Sequence, residues 1–275
     1  MRRTPERGYC VSPIHIITSI SSPILLLPAM RQFGLIGRTL SHSFSQTYFN
    51  QKFYSLGLEG HAYDLFELVS IGELPALLAA HPQLVGLNVT VPYKESVVSY
   101  LDDLAPSARR VGAVNVIERR PDGSLLGHNT DVVGFRESLR QFFPAPPGSR
   151  ALVLGNGGAA KAVVVALNDL GIAHWTVTRH PMDHGLTYDD LTPPLITGHP
   201  LIINATPLGT YPHADQCPRL PYEALSVQHY LYDLVYNPAE TLFMQQGQAA
   251  GAHTKNGFDM LQRQAEAAWD IWNGR

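Results

Sequence analysis

The sequence predicts an α/β protein built from two α/β domains. Two observations carry this prediction. In two separate regions of the chain, short apolar runs alternate with stretches of helical periodicity, as strands and helices do in α/β proteins. Between these regions, residues 142–148 form a proline-rich stretch that stops regular structure. The length of 275 residues is enough for two domains of modest size.

The first region alternates strands with helices. Its apolar runs, bounded by turn residues, predict strands at residues 33–37, 61–68, 84–91 and 114–118. Helical spacing of apolar residues predicts helices at residues 45–56, 71–80 and 93–101. A further helix at residues 131–141 follows, and we expect it to bridge the two domains.

The second region opens with a continuous apolar run. Strands are predicted at residues 151–154, 174–178, 201–205 and 230–235, with a glycine-rich turn and a helix to residue 170 after the first. Because helices separate these apolar strands, we predict a parallel sheet. A terminal helix at residues 257–272 has one apolar face, formed by Leu261, Ala265, Ala268, Trp269 and Trp272.

Residues 1–29 look like a leader that lies outside the fold. Arginines at positions 2, 3 and 7 precede an apolar stretch, which superficially resembles a secretion signal. Prolines at positions 13, 23 and 28 interrupt that stretch, and it is too short to span a membrane. The first strand follows directly after Met30, and we therefore expect the functional chain to start there.

Composition and charge narrow the class of protein. Charged residues make up only 16% of the chain, the net charge is −3, and the mean hydropathy is −0.05. These values predict a folded cytoplasmic protein with no affinity for nucleic acid or for a membrane. The two cysteines, Cys10 and Cys217, and the scattered histidines lack the spacing of metal ligands, so we expect no metal site.

A glycine-rich turn predicts a dinucleotide site. Residues 155–160, with the sequence GNGGAA, follow an apolar strand and open a helix. In this context the backbone N–H groups and the helix N-terminus can bind a pyrophosphate, and Ala160 takes the third small position of the G-x-G-x-x-G/A pattern. A tight turn with incidental glycines is the alternative.

The end of the next strand indicates which dinucleotide is bound. Arg179 lies where an NAD enzyme usually carries an acid, and a cation at this position favours the 2′-phosphate of NADP. Two alternatives stay open: Asp183 could supply the acid from a longer loop, and Arg179 could be an ordinary exposed charge.

Polar residues of the first region form a group that a core strand would not need. They are Ser43, Ser45, the 88–94 segment, Asn115 and the 129–131 segment. Buried polar groups must pair with one another or with a ligand. With these residues, the chain resembles the shikimate dehydrogenase family from about residue 32 to 264, through the motifs SHSFS at 41–45, NVTVPYK at 88–94, GAVN at 112–115, NTD at 129–131, GNGGAA at 155–160, INAT at 203–206, YDLVYNP at 232–238 and NGFDMLQRQ at 256–264.

The resemblance implies a fold and an activity. The activity is the reversible NADPH-linked reduction of 3-dehydroshikimate to shikimate, on the route to chorismate and the aromatic amino acids. The implied fold has an N-terminal substrate-binding domain, residues 30–130 plus 257–275, to which the C-terminal helix returns. Residues 131–256 would form a Rossmann-type NADP-binding domain. The implied partner is the small-molecule substrate, and we expect a monomer or a homodimer.

The resemblance also implies site residues. Lys94 and Asp131 correspond to the catalytic acid–base pair, in which a lysine both transfers the proton and stabilises the alkoxide. The substrate-binding set is Ser43, Ser45, Thr90, Lys94, Asn115, Asp131, Tyr236 and Gln264. The cofactor-binding set is Gly155, Asn156, Gly157, Gly158, Ala159, Thr178, Arg179, Thr206, Leu234 and Gly257. Taken singly, these residues would be read as ion pairs, helix caps or turn formers.

Three positions depart from the family's pattern. Gln46 stands where the family usually has proline, Thr178-Arg179-His180 replaces Asn-Arg-Thr, and Pro207 replaces a serine. The second departure leaves open a quinate/shikimate dehydrogenase that accepts NAD. A relative that has lost catalysis is the alternative from another class, and loss of Lys94 or Asp131 would have marked it.

Overall fold

The computed structural model describes residue 1, residues 30–40 and residues 43–275, so most of the expected leader lies outside the described residues. A first sheet of six strands has the order β2-β1-β3-β5-β6-β4. Its strands are β1 (Arg31–Gly37), β2 (His61–Glu67), β3 (Leu84–Val89), β4 (Asp103–Leu104), β5 (Val116–Arg119) and β6 (Leu125–His128). β5 pairs antiparallel with β3 and β6, and the other pairings are parallel, so the sheet is mixed.

Three α-helices accompany the first sheet: α1 (Phe44–Ser55), α2 (Leu74–Ala80) and α3 (Pro106–Val111). The predicted helix at 93–101 is wrong, because only a short 3-10 helix forms there, at Ser96–Tyr100. The Lys94 carbonyl accepts a hydrogen bond from the Val114 N–H (2.7 Å), which ties this backbone to the segment before β5. The β-branched pair Val97 and Val98 also disfavours a helix.

The second sheet is entirely parallel, as predicted, with the order β12-β11-β10-β7-β8-β9. Its strands are β7 (Arg150–Leu154), β8 (Ala173–Thr178), β9 (Leu186–Thr187), β10 (Leu201–Asn204), β11 (Tyr230–Asp233) and β12 (His253–Lys255). The helices of this region are α5 (Gly158–Asp169), α6 (Pro193–Thr197) and α7 (Leu242–Ala249). Apolar clusters cover both faces of the sheet, which explains why its central strands are continuous apolar runs.

Two helices join the sheets. α4 (Asp131–Phe142) packs against both α5 and α8 (Phe258–Trp272), and α8 returns to the first sheet. There the Trp272 indole donates to the Ile117 carbonyl (3.1 Å). α8 crosses α4 closely at Gly134, where an added Cβ would lie 2.8 Å from the Met260 carbonyl oxygen. Among the described residues, no helix is long and apolar enough to cross a membrane.

Candidate functional site

A cleft of about 580 Å³ opens between the two sheets. Strand ends and loops of the first sheet form one wall, and the segments after β10 and β11 form part of the other. The cleft is lined by all eight residues of the predicted substrate-binding set: Ser43, Ser45, Thr90, Lys94, Asn115, Asp131, Tyr236 and Gln264. Three residues of the predicted cofactor set, Ala159, Leu234 and Gly257, also line it.

Lys94 and Asp131 form an ion pair in this cleft. The Lys94 Nζ lies 2.6 Å from Asp131 Oδ2, and the two side chains are only 18% and 7% exposed. Asp131 is the first residue of α4, where the helix dipole favours a carboxylate. One of the three ammonium hydrogens is bonded to Asp131, so the group can also donate into the cleft.

Asn115 joins the ion pair to the surrounding amides. Its Nδ2 donates to Asp131 Oδ1 (2.9 Å), to Thr130 Oγ1 (3.0 Å) and to Gln264 Oε1 (3.4 Å). Its Oδ1 accepts from the Thr130 N–H (2.7 Å). Both carboxylate oxygens of Asp131 therefore have partners, and α8 reaches the same group of side chains through Gln264.

Ser43 and Ser45 lie at the start of α1. Ser43 is the N-cap residue, but its side chain makes no cap hydrogen bond, so it is not the simple cap that was the alternative. Its hydroxyl oxygen is buried and has no hydrogen-bond partner within the described part of the chain. The Ser45 hydroxyl interacts with the buried Tyr63 phenol. A helix N-terminus with an available hydroxyl is suited to a carboxylate.

Thr90 and Tyr236 approach the cleft from opposite sheets. The Thr90 N–H donates to the Ile36 carbonyl (2.9 Å), which fixes the end of β3 beside β1. Burial raises the pKa of the Tyr236 phenol, so the group is a neutral hydrogen-bond donor at physiological pH. The Tyr236 ring lies 6.3 Å from the Phe44 ring, measured between centroids, so aromatic side chains connect the two walls.

The glycine-rich turn has the geometry that a pyrophosphate needs. Gly155 has φ +105°, and a Cβ there would lie 3.2 Å from the Ala205 carbonyl oxygen and 3.1 Å from Thr206 Cγ2. Asn156 and Gly157 are exposed at the N-terminus of α5, and no atom lies within 4 Å of a Cβ built on Gly157. The first N–H groups of a helix have no acceptor inside it. The residues present therefore fit a dinucleotide.

The same turn lies next to the ion pair. A Cβ on Gly158 would lie 3.5 Å from Lys94 Cβ, which is ordinary van der Waals contact. An ion pair between Lys161 of α5 and Glu95, 2.7 Å long, connects the same two segments. The N-terminus of α5 and the Lys94 ammonium therefore face a common space.

Thr178 is the last residue of β8, and Arg179 follows it. Thr178 is buried, and its hydroxyl donates to the His180 carbonyl (2.6 Å), so it shapes this turn. Arg179 is exposed, and no carboxylate of the described residues pairs with it. Asp183 is exposed as well. Arg179 is therefore available to a ligand. Both Thr178 and Arg179 lie outside the substrate cleft.

Sequence reasoning gave no role to several residues that build the site. Tyr63 donates to Asn88 Oδ1 (2.7 Å) beneath Asn115, and Asn204 bonds both Thr206 and the buried Asp233. Polar residues inside otherwise apolar strands, and the motifs that contain them, were the signals that could have found these residues. Among the described residues, no group of three or more His, Cys, Asp or Glu is placed to hold a metal ion.

Comparisons with known proteins agree in one family. The family profile described as shikimate dehydrogenase substrate binding domain matches residues 35–117. The NADP(+) shikimate dehydrogenase of Clostridium beijerinckii is 38% identical over 255 residues, covering 88% of this chain and 92% of the relative.

Solved structures give the same result over both sheets. The shikimate 5-dehydrogenase of Thermus thermophilus, solved with NADP(H) and shikimate, is 32% identical with a TM-score of 0.78, covering 90% of this chain and 94% of that one. The quinate dehydrogenase of Corynebacterium glutamicum, solved with NAD, is 26% identical with a TM-score of 0.79, covering 90% and 95%. The polar cleft and the glycine-rich turn agree with these similarities. Because a relative is 38% identical over 88% of this chain, the chain belongs to the shikimate dehydrogenase family.

Proposed function

We propose that this chain is an NADP-dependent shikimate dehydrogenase, which interconverts 3-dehydroshikimate and shikimate in chorismate and aromatic amino acid biosynthesis. The observation that carries the proposal is the partly buried Lys94–Asp131 ion pair, 2.6 Å long, in a cleft that the N-terminus of helix α5 also borders. The relatives named NADP(+) shikimate dehydrogenase support it.

We assign substrate binding to the polar lining of the cleft. Ser43 and Ser45 donate hydrogen bonds to the substrate carboxylate at the N-terminus of α1. Thr90, Asn115, Gln264 and Tyr236 contact the hydroxyl groups on the substrate ring and the carbonyl oxygen that reacts. The Ser43 hydroxyl supports this assignment, because a buried hydroxyl without a partner among the described residues gains a hydrogen bond when a ligand arrives.

Lys94 acts as the general acid and base. Bound NADPH supplies a hydride for the ring carbonyl carbon. Lys94 Nζ donates a proton to the carbonyl oxygen in the reducing direction and takes it back in the oxidising direction. Asp131 orients the ammonium through the 2.6 Å contact, and the positive charge of Lys94 stabilises the alkoxide as it forms.

We assign NADP to the edge of the second sheet. Gly155, Asn156, Gly157, Gly158 and Ala159 hold the pyrophosphate at the N-terminus of α5. Thr178 shapes the turn that presents Arg179 to the 2′-phosphate. Thr206, Leu234 and Gly257 would border the nicotinamide, and the last two of these residues line the cleft.

We also propose the domain boundaries given by the resemblance. Residues 30–130 with 257–275 form the substrate-binding domain, and residues 131–256 form the NADP-binding domain. The packing of α8 on the first sheet supports the discontinuous domain, and α4 connects the two. A cytoplasmic location, which the composition of the chain supports, and a monomeric or homodimeric state complete the proposal.

A second candidate is oxidation of quinate with NAD. The similarity to the quinate dehydrogenase of Corynebacterium glutamicum favours it, as does Asp183 as an acid near the cofactor turn. The exposed Arg179, which pairs with no carboxylate of the described residues, favours NADP instead. A relative without catalysis is disfavoured, because Lys94 and Asp131 are both present and paired.

The test is the initial rate of nicotinamide reduction with shikimate or quinate, each with NADP⁺ and with NAD⁺. The proposal predicts a rate with shikimate and NADP⁺ that far exceeds the other three. Comparable rates with quinate or NAD⁺ identify the protein as a quinate/shikimate dehydrogenase that accepts NAD. No reduction with any pair, from protein that is folded, contradicts an enzymatic role.

A further inference from the structure

A buried polar network joins the ends of two central strands of the second sheet. Asn204 and Asp233 are paired residues of β10 and β11, and both are fully buried. Asn204 Nδ2 donates to Asp233 Oδ1 (2.9 Å), and the Thr241 hydroxyl donates to Asp233 Oδ2 (2.6 Å). Neither Asn204 nor Asp233 lines the cleft.

The network controls the segment after β10. Asn204 Oδ1 accepts from both the Thr206 N–H (3.1 Å) and the Thr206 hydroxyl (2.6 Å), and Asn204 Nδ2 donates to the Leu208 carbonyl (3.3 Å). Thr206 in turn lies beside Gly155 of the dinucleotide turn. Asn204 therefore fixes the loop that approaches the glycine-rich turn.

The network also controls the segment after β11. Asp233 Oδ1 accepts from the Val235 N–H (3.0 Å), and the Leu234 N–H donates to the Asn204 carbonyl (2.9 Å). The Gly257 N–H donates to the Val235 carbonyl (3.1 Å), which adds the start of α8. One carboxylate and one side-chain amide thus hold the segments after β10 and β11, and the start of α8 is bonded to the second of these segments through the Val235 carbonyl.

We infer that Asn204 and Asp233 are positioning residues for the nicotinamide end of the cofactor site, which they shape through Thr206 and the 234–235 turn without touching the ligand. This inference rests on the proposed function. A carboxylate is suited to the place because one oxygen can accept two N–H donors while the other accepts a hydroxyl, and an apolar side chain would leave these donors unsatisfied.

The test compares NADP⁺ binding, measured by isothermal titration calorimetry, in variants of Asn204 and Asp233, in a control variant and in the wild type. Asn204→Ala and Asp233→Ala remove the links to Thr206 and Val235, and we expect the Kd for NADP⁺ to rise at least about tenfold because the loops are no longer pre-organised. Asp233→Asn keeps an oxygen acceptor in the same place, and we expect its Kd to stay within about threefold of wild type.

Tyr232→Phe is the matched control. Tyr232 precedes Asp233 on β11, is fully buried, and donates a hydrogen bond to Ser138 Oγ (2.7 Å) away from the cofactor loops. It should lower the melting temperature without changing the Kd for NADP⁺. If the alanine variants do not fold, Thr241→Val removes the hydroxyl donor to Asp233, together with the bond that this hydroxyl accepts from the Met244 N–H at the start of α7, and it should still raise the Kd severalfold.

The outcomes separate the inference from the proposed function. A Kd within about twofold of wild type in Asn204→Ala and Asp233→Ala, or in Thr241→Val if neither folds, overturns the inference even when the wild type oxidises shikimate. Weakened NADP⁺ binding in these variants supports the inference even when the wild type shows no dehydrogenase activity. A wild-type protein that does not bind NADP⁺ overturns both.

Discussion

Lys94, Asp131 and Asn115 show how single residues prepare the cleft for chemistry. The carboxylate of Asp131 accepts from Lys94 on one oxygen and from Asn115 on the other. A charge held in a partly buried place is costly unless it is paired and hydrogen-bonded. The pairing therefore sets the direction of the ammonium before a substrate arrives, and this pre-organisation is what a proton transfer requires.

At the residue scale, the proposed preference for NADP depends on Arg179. Because a guanidinium–phosphate contact is charge-assisted, Arg179→Ala should raise the KM for NADP⁺ by roughly tenfold or more and leave the KM for NAD⁺ nearly unchanged. The exposed Arg219, which pairs with Asp189, provides a matched control as Arg219→Ala. Equal changes in the two KM values would remove the cofactor assignment.

The Asp233 carboxyl makes stability depend on pH. Burial raises its pKa to about 6, against roughly 3.9 for an unfolded aspartate. The folded chain thus holds a proton that the unfolded chain releases between about pH 4 and pH 6, so the contribution of this group to stability is full below about pH 4 and falls as the pH rises through 6.

Asp233→Asn removes this titration. Its free energy of unfolding, relative to wild type, should increase by about 2 to 3 kcal/mol between pH 4 and pH 7. Urea unfolding of both proteins across this range measures the difference and cancels the titration of the other carboxyls. A difference that does not change with pH would show that the buried carboxyl does not hold its proton.

At the scale of elements, the crossing of α4 and α8 places Gln264 beside Asn115. Gly134 allows this crossing, because an added Cβ would lie 2.8 Å from the Met260 carbonyl oxygen and 3.0 Å from Gln264 Cβ. Gly134→Ala should therefore displace α8, lower the free energy of unfolding by about 1 to 3 kcal/mol and raise the KM for shikimate severalfold.

The Kd for NADP⁺ distinguishes this local effect from general damage, and it should stay near the wild-type value in Gly134→Ala. Gly198→Ala is the matched control, since a Cβ there meets nothing closer than 3.4 Å. It should change neither stability nor KM appreciably. An unchanged KM for shikimate in Gly134→Ala would show that the crossing of α4 and α8 does not affect substrate binding.

The elements that periodicity predicts well are the long or strongly apolar ones. The strands at 33–37, 151–154 and 201–205, the helices at 131–141 and 257–272 and the parallel second sheet all correspond to observed elements. The antiparallel pair β5 and β6 was not predicted as a hairpin, because its four-residue strands carry polar residues such as Glu118 and His128. The segment at 93–101 has helical spacing, but its Lys94 carbonyl accepts a hydrogen bond from the Val114 N–H and is therefore not used in a helix.

The polar lining of the cleft could be predicted because its residues lie in the motifs through which the chain resembles the shikimate dehydrogenase family. The positioning residues could not be, since their partners depend on sheet register. Asn204 and Asp233 are 29 residues apart in sequence, and only the pairing of β10 with β11 brings them together. Likewise, Gly134 is required only because α8, which starts far along the chain, packs closely against it.

At the scale of the whole molecule, an ion pair next to Lys94 joins the region of the first sheet to that of the second. Lys161 of α5 and Glu95 lie 2.7 Å apart, and their side chains are 41% and 51% exposed. Exposed pairs contribute only about 0.2 to 1 kcal/mol, so we expect Glu95→Lys or Lys161→Glu to lower kcat/KM by a few-fold at low salt.

The double reversal, Glu95→Lys with Lys161→Glu, restores opposite charges and should recover most of the wild-type kcat/KM. The loss in the single variants should shrink in about 1 M salt, where the screening length is only about 3 Å. Rates of all four proteins at both ionic strengths give the coupling between the charges. Additive losses in the double variant would show that the pair does not couple the two walls.

Lys94 carries the proton in the proposed oxidation of shikimate with NADP⁺. The most direct measurement compares kcat for wild type and Lys94→Ala, together with the Kd for shikimate in each. We predict measurable turnover by the wild type and a kcat at least roughly 10² lower in the variant, with a nearly unchanged Kd, because the ammonium acts mainly in the transition state. Normal turnover by Lys94→Ala would contradict the account.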